Sequence, residues 1–262
     1  MNAPVTIRRA SARWLSVCEG PPGSPLVLVA PFAGGGRAFY REWERLFSPW
    51  ARLCFVTPPG RDHRIREPAS TDLDRFLPRL VAACAELVDG QPYTVFGHSM
   101  GAMLGYEIAS GLRDLGLPEP DHLVVSGLCS PDTPLPGRPL EEADDRELLA
   151  ELAALMELPT AGPMYELLAA MLPTARADFT LCERYRWRPR PPLTTGITAL
   201  WSVDDPLTTQ EGVAAWARHT TGGFRELRFG GPHFFIRGLG GVVADALSAP
   251  HRGASPGRET HP

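Results

Sequence analysis

The sequence predicts an α/β fold in which a mostly parallel central sheet is flanked by helices. In the first half of the chain, short apolar runs alternate with longer segments of helical periodicity, which is the pattern of parallel strands joined by crossover helices. The run Leu26–Ala30 (LVLVA) is apolar at every position, as expected of a strand that is buried on both faces. With 262 residues, the chain is long enough for one large domain with a well-filled core.

The strands and helices are predicted from the period of the apolar residues. Strands are expected at 26–30, 52–57, 93–96, 122–128, 197–202 and 224–229, with an antiparallel edge strand at 14–18. Apolar residues recur at helical spacing from Leu73 to Leu87, but Pro78 fits this helix only if its regular part begins close to the proline. Further helices are predicted from Ser99 to about Asp114, and over 210–218 and 240–247.

The segment 131–190 interrupts this alternation of strands and helices. It begins with a proline-rich loop and continues with helical patterns at 141–155, 164–172 and 175–185. An all-helical insertion between two strands of a sheet predicts a lid over a site. We therefore expect one domain over 1–247 with a lid insertion at about 131–190, followed by a disordered, Pro-, Gly- and polar-rich tail at 248–262.

Composition excludes several classes of function. A net charge of −4 argues against general nucleic-acid binding, which requires a basic excess. The five cysteines are scattered without metal-binding spacing, so we expect reduced thiols and no metal site. The N-terminus lacks the apolar core of a signal peptide, and no apolar run approaches the ~18–20 residues that a membrane helix needs. These observations predict a cytoplasmic protein that does not bind membranes.

The motif G-x-S-x-G occurs at residues 97–101 as GHSMG. It follows the apolar strand YTVF and precedes a good helix, which is the context of a nucleophile elbow in the α/β-hydrolase fold. The sharp turn lifts the serine hydroxyl out of the sheet, and the amide of the next residue faces the developing oxyanion. The sequence therefore predicts that Ser99 is a nucleophile and that Met100 supplies one oxyanion donor.

In this fold the acid and the base follow the serine in the order Ser, Asp, His. His233 comes directly after the last strand and is the expected base, whereas His219 is expected to cap a helix. Asp204 and Asp205 both end the preceding strand, and the proline after Asp205 favours that residue. Asp132 remains an outside candidate for the acid.

The second oxyanion donor is expected in the loop after the first central strand, which reads PFAGGG at 31–36. Its small residues allow backbone amides to approach a substrate carbonyl, and we expect Ala33 to donate. The loop lacks both the lysine of a phosphate-binding P-loop and the G-x-G-x-x-G spacing of a dinucleotide site.

Several motifs occur together and in one order along the chain. They are PFAGG with Phe39 and Trp43, PPGRDHR (58–64), GHSMGA (97–102), VDDP (203–206), Trp216 with His219 and Thr220, and GPHFF (231–235). This set strongly resembles the type II, or external editing, thioesterases of polyketide and nonribosomal peptide synthetases. The resemblance covers roughly residues 12–247. Two residues depart from it: Phe32 stands where many members have histidine, and Pro232 where many have glycine.

The resemblance implies that Ser99, Asp205 and His233 form a catalytic triad and that Ala33 and Met100 form the oxyanion hole. It implies hydrolysis of acyl groups from the phosphopantetheine arm of acyl or peptidyl carrier proteins, with no cofactor bound by the enzyme and a monomer as the simplest assembly. A general esterase or lipase, an acyltransferase and a non-catalytic carrier-binding module are the alternatives.

Two further sets of residues have both a functional and a purely structural interpretation. Apolar lid residues either line an acyl channel or form ordinary core: Met156, Met164, Leu168, Met171, Leu172 and Phe179. Arginines either meet an acidic carrier protein or lie on a solvated face: Arg37, Arg61, Arg64 and the run from Arg184 to Arg190.

Overall fold

The computed structural model describes residues 9–137 and 139–249. Its centre is a seven-stranded sheet in the order β1-β3-β2-β4-β5-β6-β7. The strands are β1 (Leu15–Val17), β2 (Leu26–Ala30), β3 (Arg52–Val56), β4 (Tyr93–His98), β5 (His122–Ser126), β6 (Gly196–Ser202) and β7 (Phe224–Phe229). Only β1 is antiparallel to its neighbour, β3, and all the other pairings are parallel. The mostly parallel α/β sheet and its antiparallel edge strand are confirmed.

The strand register brings one set of loops together. Ala30 at the end of β2 pairs with Gly97 of β4, and Ser202 at the end of β6 pairs with Phe229 of β7. Because the carboxyl ends of parallel strands lie at the same edge of a sheet, the loops after β2, β4, β6 and β7 meet there. This edge is where ligands bind in open α/β sheets.

Helices cover both faces of the sheet. They are α1 (Arg9–Ala12), α2 (Arg41–Phe47), α3 (Leu73–Val88), α4 (Met100–Asp114), α5 (Asp145–Leu155), α6 (Pro163–Arg184), α7 (Gln210–Ala214) and α8 (Gly240–Ser248). Helices α3 and α4 bury their apolar residues in one large cluster with one face of the sheet, and α2 and α8 do so on the opposite face. The strands between these clusters are apolar on both faces, which explains their continuous apolar runs.

Helix α3 begins at Leu73, where the predicted apolar periodicity begins, and not close to Pro78. Asp72 caps it, since its carboxylate accepts a hydrogen bond of 3.0 Å from the Asp74 N–H, and Pro78 lies inside the helix. The expectation that the helix begins close to Pro78 is therefore wrong. The proline removes only the one backbone hydrogen bond to the carbonyl of Asp74, and burial of residues such as Phe76 and Leu80 outweighs that loss.

The segment 131–190 contains two helices and no strand among its described residues. Helix α5 has a capping box between Asp144 and Glu147. Helix α6 is continuous through Pro173, so the two separate helices predicted for 164–172 and 175–185 are one. Leu168 and Leu172 pack against α5 on both turns that precede the proline, and this packing holds the helix together across it.

Two expectations concern the ends of the chain and membrane association. The predicted tail at 248–262 lies outside the described residues from 250 onward, while Ser248 is the last residue of α8. Within 9–137 and 139–249, no helix is long and apolar enough to cross a membrane.

Candidate active site

Ser99 occupies a strained turn between β4 and α4. Its backbone has φ 55° and ψ −125°, a conformation that residues other than glycine rarely adopt. Such a turn needs glycine on both sides: a Cβ on Gly97 would lie 1.9 Å from the carbonyl oxygen of Gly101, and a Cβ on Gly101 would lie 2.3 Å from that of Ala30. The Ser99 N–H donates to the carbonyl of Ser126 at 2.7 Å, which ties the turn to β5.

A buried histidine–aspartate pair lies at the same edge of the sheet. His233 follows β7 and Asp205 follows β6, and His233 Nδ1 is 2.8 Å from Asp205 Oδ2. Their side chains are 2% and 0% exposed. The other oxygen of Asp205, Oδ1, accepts a hydrogen bond of 2.9 Å from the Leu207 N–H. Asp204 is exposed instead and accepts from the Gly231 N–H, so Asp205 is the aspartate that holds the imidazole.

A second histidine–aspartate pair, in which His219 is buried and Asp132 is half-buried, was not foreseen from the sequence. The expectation that His219 caps a helix is wrong. Its Nε2 is 2.8 Å from Asp132 Oδ1, and its Nδ1 is 3.3 Å from the hydroxyl of Tyr106. Although burial raises the pKa of the Asp132 carboxyl, hydrogen bonds from Ser130, His219 and Arg218 outweigh it and hold this pKa below its ordinary value. Asp132 is thus engaged by His219, and Asp205 is the residue that contacts His233.

His98, next to the serine, packs beneath the first pair. Its ring is fully buried, 4.8 Å between centroids from the ring of His233, and its Nδ1 is 3.0 Å from the hydroxyl of Ser126. Burial, with a smaller contribution from His233, lowers the pKa of His98 well below its ordinary value, so this imidazole is neutral. Phe32 packs edge-on against Phe234, with the ring centroids 4.8 Å apart, and both rings contact the ring of His98.

The proposed oxyanion residues and the serine share one cavity of about 530 Å³. Ala33 from the loop after β2, Ser99, and Met100 at the start of α4 all line it. Its other walls are largely apolar. They come from α4, the loops after β5 and β6, the proline-rich segment, α6 and the residues that follow α6. The apolar lining residues include Met103, Leu128, Cys129, Pro134, Leu135, Leu140, Phe179, Tyr185, Trp187 and Leu207. An apolar cavity with a nucleophile on its wall suits an acyl group.

The structure decides between the two interpretations of the lid residues. Phe179 lines the cavity. Leu168 and Leu172 pack inside the small cluster between α5 and α6, and Met164 is exposed. Phe179 is therefore placed where an acyl channel would need it, whereas Leu168 and Leu172 are core residues of the helical insertion.

The arginines are divided in the same way. Arg61 and Arg64 are buried and paired with Asp178 and Glu67, so neither interpretation, a carrier-binding face or a solvated face, holds for these two residues. Each of these guanidinium groups is the partner of a carboxylate, and removing it would strongly destabilise the fold where that carboxylate is buried without another counterion. Arg188 is exposed and reaches Asp74 across the surface.

Over the two described stretches of the chain, no three histidine, cysteine, aspartate or glutamate side chains are grouped to hold a metal ion.

Comparison with known proteins identifies the family. The model of the thioesterase domain family matches residues 25–248. The chain belongs to this family. The thioesterase resemblance predicted from the motifs is confirmed, and this thioesterase is a serine hydrolase of the α/β-hydrolase fold.

Individual relatives agree with this membership. The type II thioesterase BorB from the borrelidin biosynthetic cluster superposes with a TM-score of 0.81 at 31% identity, covering 94% of this chain and 99% of that one. The RedJ thioesterase of the prodiginine pathway in Streptomyces coelicolor gives a TM-score of 0.78 at 35% identity, covering 87% and 89%. A Brevibacillus parabrevis protein, named linear gramicidin dehydrogenase LgrE, is 36% identical over 86% of this thioesterase and 87% of its own length.

Proposed function

We propose that this thioesterase hydrolyses acyl groups from the phosphopantetheine arm of acyl or peptidyl carrier proteins and so edits stalled or misprimed polyketide or nonribosomal peptide assembly lines. The observation that carries the proposal is Ser99, held in a strained turn on the wall of an apolar cavity at the edge where the His233–Asp205 pair lies. Relatives from the borrelidin and prodiginine pathways support the assignment of substrate class.

The proposed reaction proceeds in two acyl-transfer steps. His233 takes the proton of the Ser99 hydroxyl as its oxygen attacks the thioester carbonyl, and the N–H groups of Ala33 and Met100 stabilise the oxyanion. Collapse of this intermediate breaks the C–S bond, and His233 returns the proton to the departing pantetheine thiolate. Water, deprotonated by His233, then attacks the acyl-serine, and His233 returns this proton to the Ser99 oxygen as the ester C–O bond breaks and the acid leaves. Asp205 holds the imidazole tautomer and stabilises its cationic form.

The helical insertion at about 131–190 acts in this proposal as the lid over the cavity, within a single domain that spans 1–247. It supplies much of the apolar wall through the proline-rich segment and Phe179, which supports a role in selecting the acyl group. The enzyme itself needs no cofactor, because the substrate arrives already attached to phosphopantetheine. We further propose a monomer that acts in the cytoplasm, and size measurement of the purified protein tests its oligomeric state.

The test of the proposed function compares an acyl-loaded carrier protein with the p-nitrophenyl ester of the same acid. The release of acid from each is followed for the wild type and for Ser99→Ala. We expect clearance of the carrier that depends on Ser99 and has a higher kcat/KM than cleavage of the ester.

Other outcomes point to the alternatives. Cleavage of the ester with an untouched carrier would make the protein a general esterase. Binding of the carrier with turnover of neither substrate would make it a non-catalytic carrier-binding module. Equal activity of Ser99→Ala and the wild type would refute the proposed nucleophile.

A further inference from the structure

The PPGRDHR motif at 58–64 has no part in the triad, yet it lies between the oxyanion loop and the lid. Arg61, in the loop after β3, places Nη2 2.7 and 2.9 Å from the two carboxylate oxygens of Asp178 on α6. The Arg61 and Asp178 side chains are only 4% and 3% exposed. A bond from the Thr174 hydroxyl to the carbonyl of Gly60, at 2.8 Å, joins the same loop and helix a second time.

The same ion pair also holds the oxyanion loop. The Gly34 N–H donates to Asp178 Oδ2 at 2.7 Å, and Arg61 Nη1 donates to the carbonyl of Gly35 at 3.2 Å. Gly34 has φ +73° and packs so closely on α6 that a Cβ there would lie 3.0 Å from the Cβ of Ala175. Three segments that are distant in sequence therefore meet at one buried carboxylate.

This contact bears directly on the orientation of Ala33. The Gly34 N–H belongs to the peptide unit that follows Ala33, so anchoring it restricts ψ of Ala33. Arg61 anchors the carbonyl of Gly35, and the Gly35 N–H donates at 2.8 Å to the carbonyl of Phe32, which belongs to the same peptide unit as the Ala33 N–H. The N–H of Ala33 is the proposed oxyanion donor, and Ala33 lines the cavity beside Ser99 and Met100.

Stability alone does not explain a buried ion pair of this kind. Removing two charges from water is expensive, and replacing a buried pair by apolar residues of similar volume is often neutral or stabilising. Donors of an oxyanion hole, in contrast, act only when they are held in place before the reaction. A carboxylate that accepts from both a guanidinium and a loop amide meets this need.

We propose that Arg61 and Asp178 are positioning residues that hold the oxyanion loop against α6 and so set the Ala33 N–H for catalysis. The proposal rests on the proposed oxyanion role of Ala33. Neither residue touches the substrate; both act through the backbone of 33–35. Their loss is expected to lower kcat about 10- to 100-fold, the scale of a small misplacement in an active site, with KM changed by less than about 3-fold.

Two variants separate positioning from stability. The double variant Arg61→Met/Asp178→Leu removes both charges together with the acceptor for Gly34. Asp178→Asn retains an acceptor oxygen for the Gly34 N–H but leaves the Arg61 charge without its counterion. Breaking a buried pair destabilises more than replacing it. We therefore expect Asp178→Asn to have the lower melting temperature and yet the higher kcat of the two.

The control is Arg64→Met. Arg64 is an equally buried arginine of the same loop, but its bonds go to Glu67 and to the carbonyl of Thr57. This variant should lose stability and keep kcat within about 3-fold of the wild type. The substrate is a p-nitrophenyl ester, whose cleavage reports on the oxyanion hole whether or not carrier proteins are substrates. Failure of the proposed function therefore leaves this test intact.

A second readout probes the oxyanion hole itself. An alkyl trifluoromethyl ketone adds to the active-site serine and places a negatively charged oxygen in the oxyanion hole. Inhibition by this ketone should weaken in the variants by the same factor as kcat/KM, whereas inhibition by the product acid should change by less than about 3-fold. Activity that follows the order of melting temperatures, or ketone inhibition that stays at the wild-type level while kcat/KM falls, would overturn the proposal. If the double variant does not fold, Asp178→Ala, which likewise removes the acceptor for the Gly34 N–H, replaces it, and its comparison with Arg64→Met in both readouts decides.

Discussion

Replacing Asp205 by asparagine should force the base into the wrong tautomer. The Leu207 N–H donates to Oδ1 of Asp205, and His233 Nδ1 faces Oδ2. In Asp205→Asn the amide oxygen keeps the bond from Leu207, which turns the amide NH₂ towards His233. The imidazole must then accept at Nδ1 and carry its proton on Nε2, where it cannot take a proton from Ser99.

The size of the effect follows from these contacts. If the asparagine amide turned over, the productive tautomer would be restored, but the amide NH₂ would then face the buried Leu207 N–H, donor against donor. This arrangement costs about 2–3 kcal/mol. Loss of the carboxylate also removes a charged hydrogen bond from the imidazolium, about another 2–3 kcal/mol. Together these correspond to a fall in kcat of about 10³- to 10⁴-fold.

The assay is the burst and steady-state rate of p-nitrophenol release, with Asp204→Asn as the matched control. Asp204 lies next to Asp205 but is exposed and accepts a hydrogen bond from the Gly231 N–H, so its variant should stay within about 3-fold of the wild type. A kcat for Asp205→Asn within 10-fold of the wild type, or an equal loss in Asp204→Asn, would refute the assignment of the acid.

Three further predictions concern the histidine pocket, the half-buried carboxylate of Glu67 and the cavity. Gly127 has φ +60°, and a Cβ there would lie 2.6 Å from His98 Cε1 and 3.2 Å from His233 Cε1. Gly127→Ala should therefore lower both the melting temperature and kcat, and kcat should fall about 10-fold or more. The control Gly116→Ala, at a glycine with φ +76° and open space around it, should lower the melting temperature alone, and equal losses of kcat in the two variants would contradict this. Hydrogen bonds from two arginines lower the pKa of Glu67 from 4.5 to about 2, so its carboxylate stabilises the fold above pH 4.5 and this contribution is lost as the pH falls towards 2. Discounted for solvent exposure, the contribution of this carboxylate to the free energy of unfolding is about 1 kcal/mol. Denaturant unfolding of the wild type and of Glu67→Gln should therefore show the difference between their free energies of unfolding shrinking, not growing, as the pH falls from 4.5 towards 2. Removal of the cavity-lining ring in Phe179→Ala should shift kcat/KM by about 10-fold towards longer acyl chains in a series of acyl-pantetheines, and an unchanged chain-length profile would show that this ring does not limit the acyl site.

The elements that the sequence predicts well are those specified by local pattern. The strand LVLVA and the turn GHSMG are each readable within a few residues, because burial on both faces and a strand-to-helix turn impose their own local composition. The errors are also local: α3 was expected to begin close to Pro78 and a break was expected between residues 172 and 175, but packing of neighbouring apolar side chains outweighs the loss of one backbone hydrogen bond at each proline.

By itself, the sequence determined the α/β fold, the family, and the order of serine, aspartate and histidine, since periodicity and motif spacing are properties of the chain. Only the tertiary structure decided which distant polar groups meet. His219 bonds to Asp132 over 87 residues, and Arg61 bonds to Asp178 over 117. An arginine looks the same in sequence whether it is solvated or buried against a carboxylate. Its partner is chosen by the packing of helices and loops, because a buried charge must be paired wherever the fold places it.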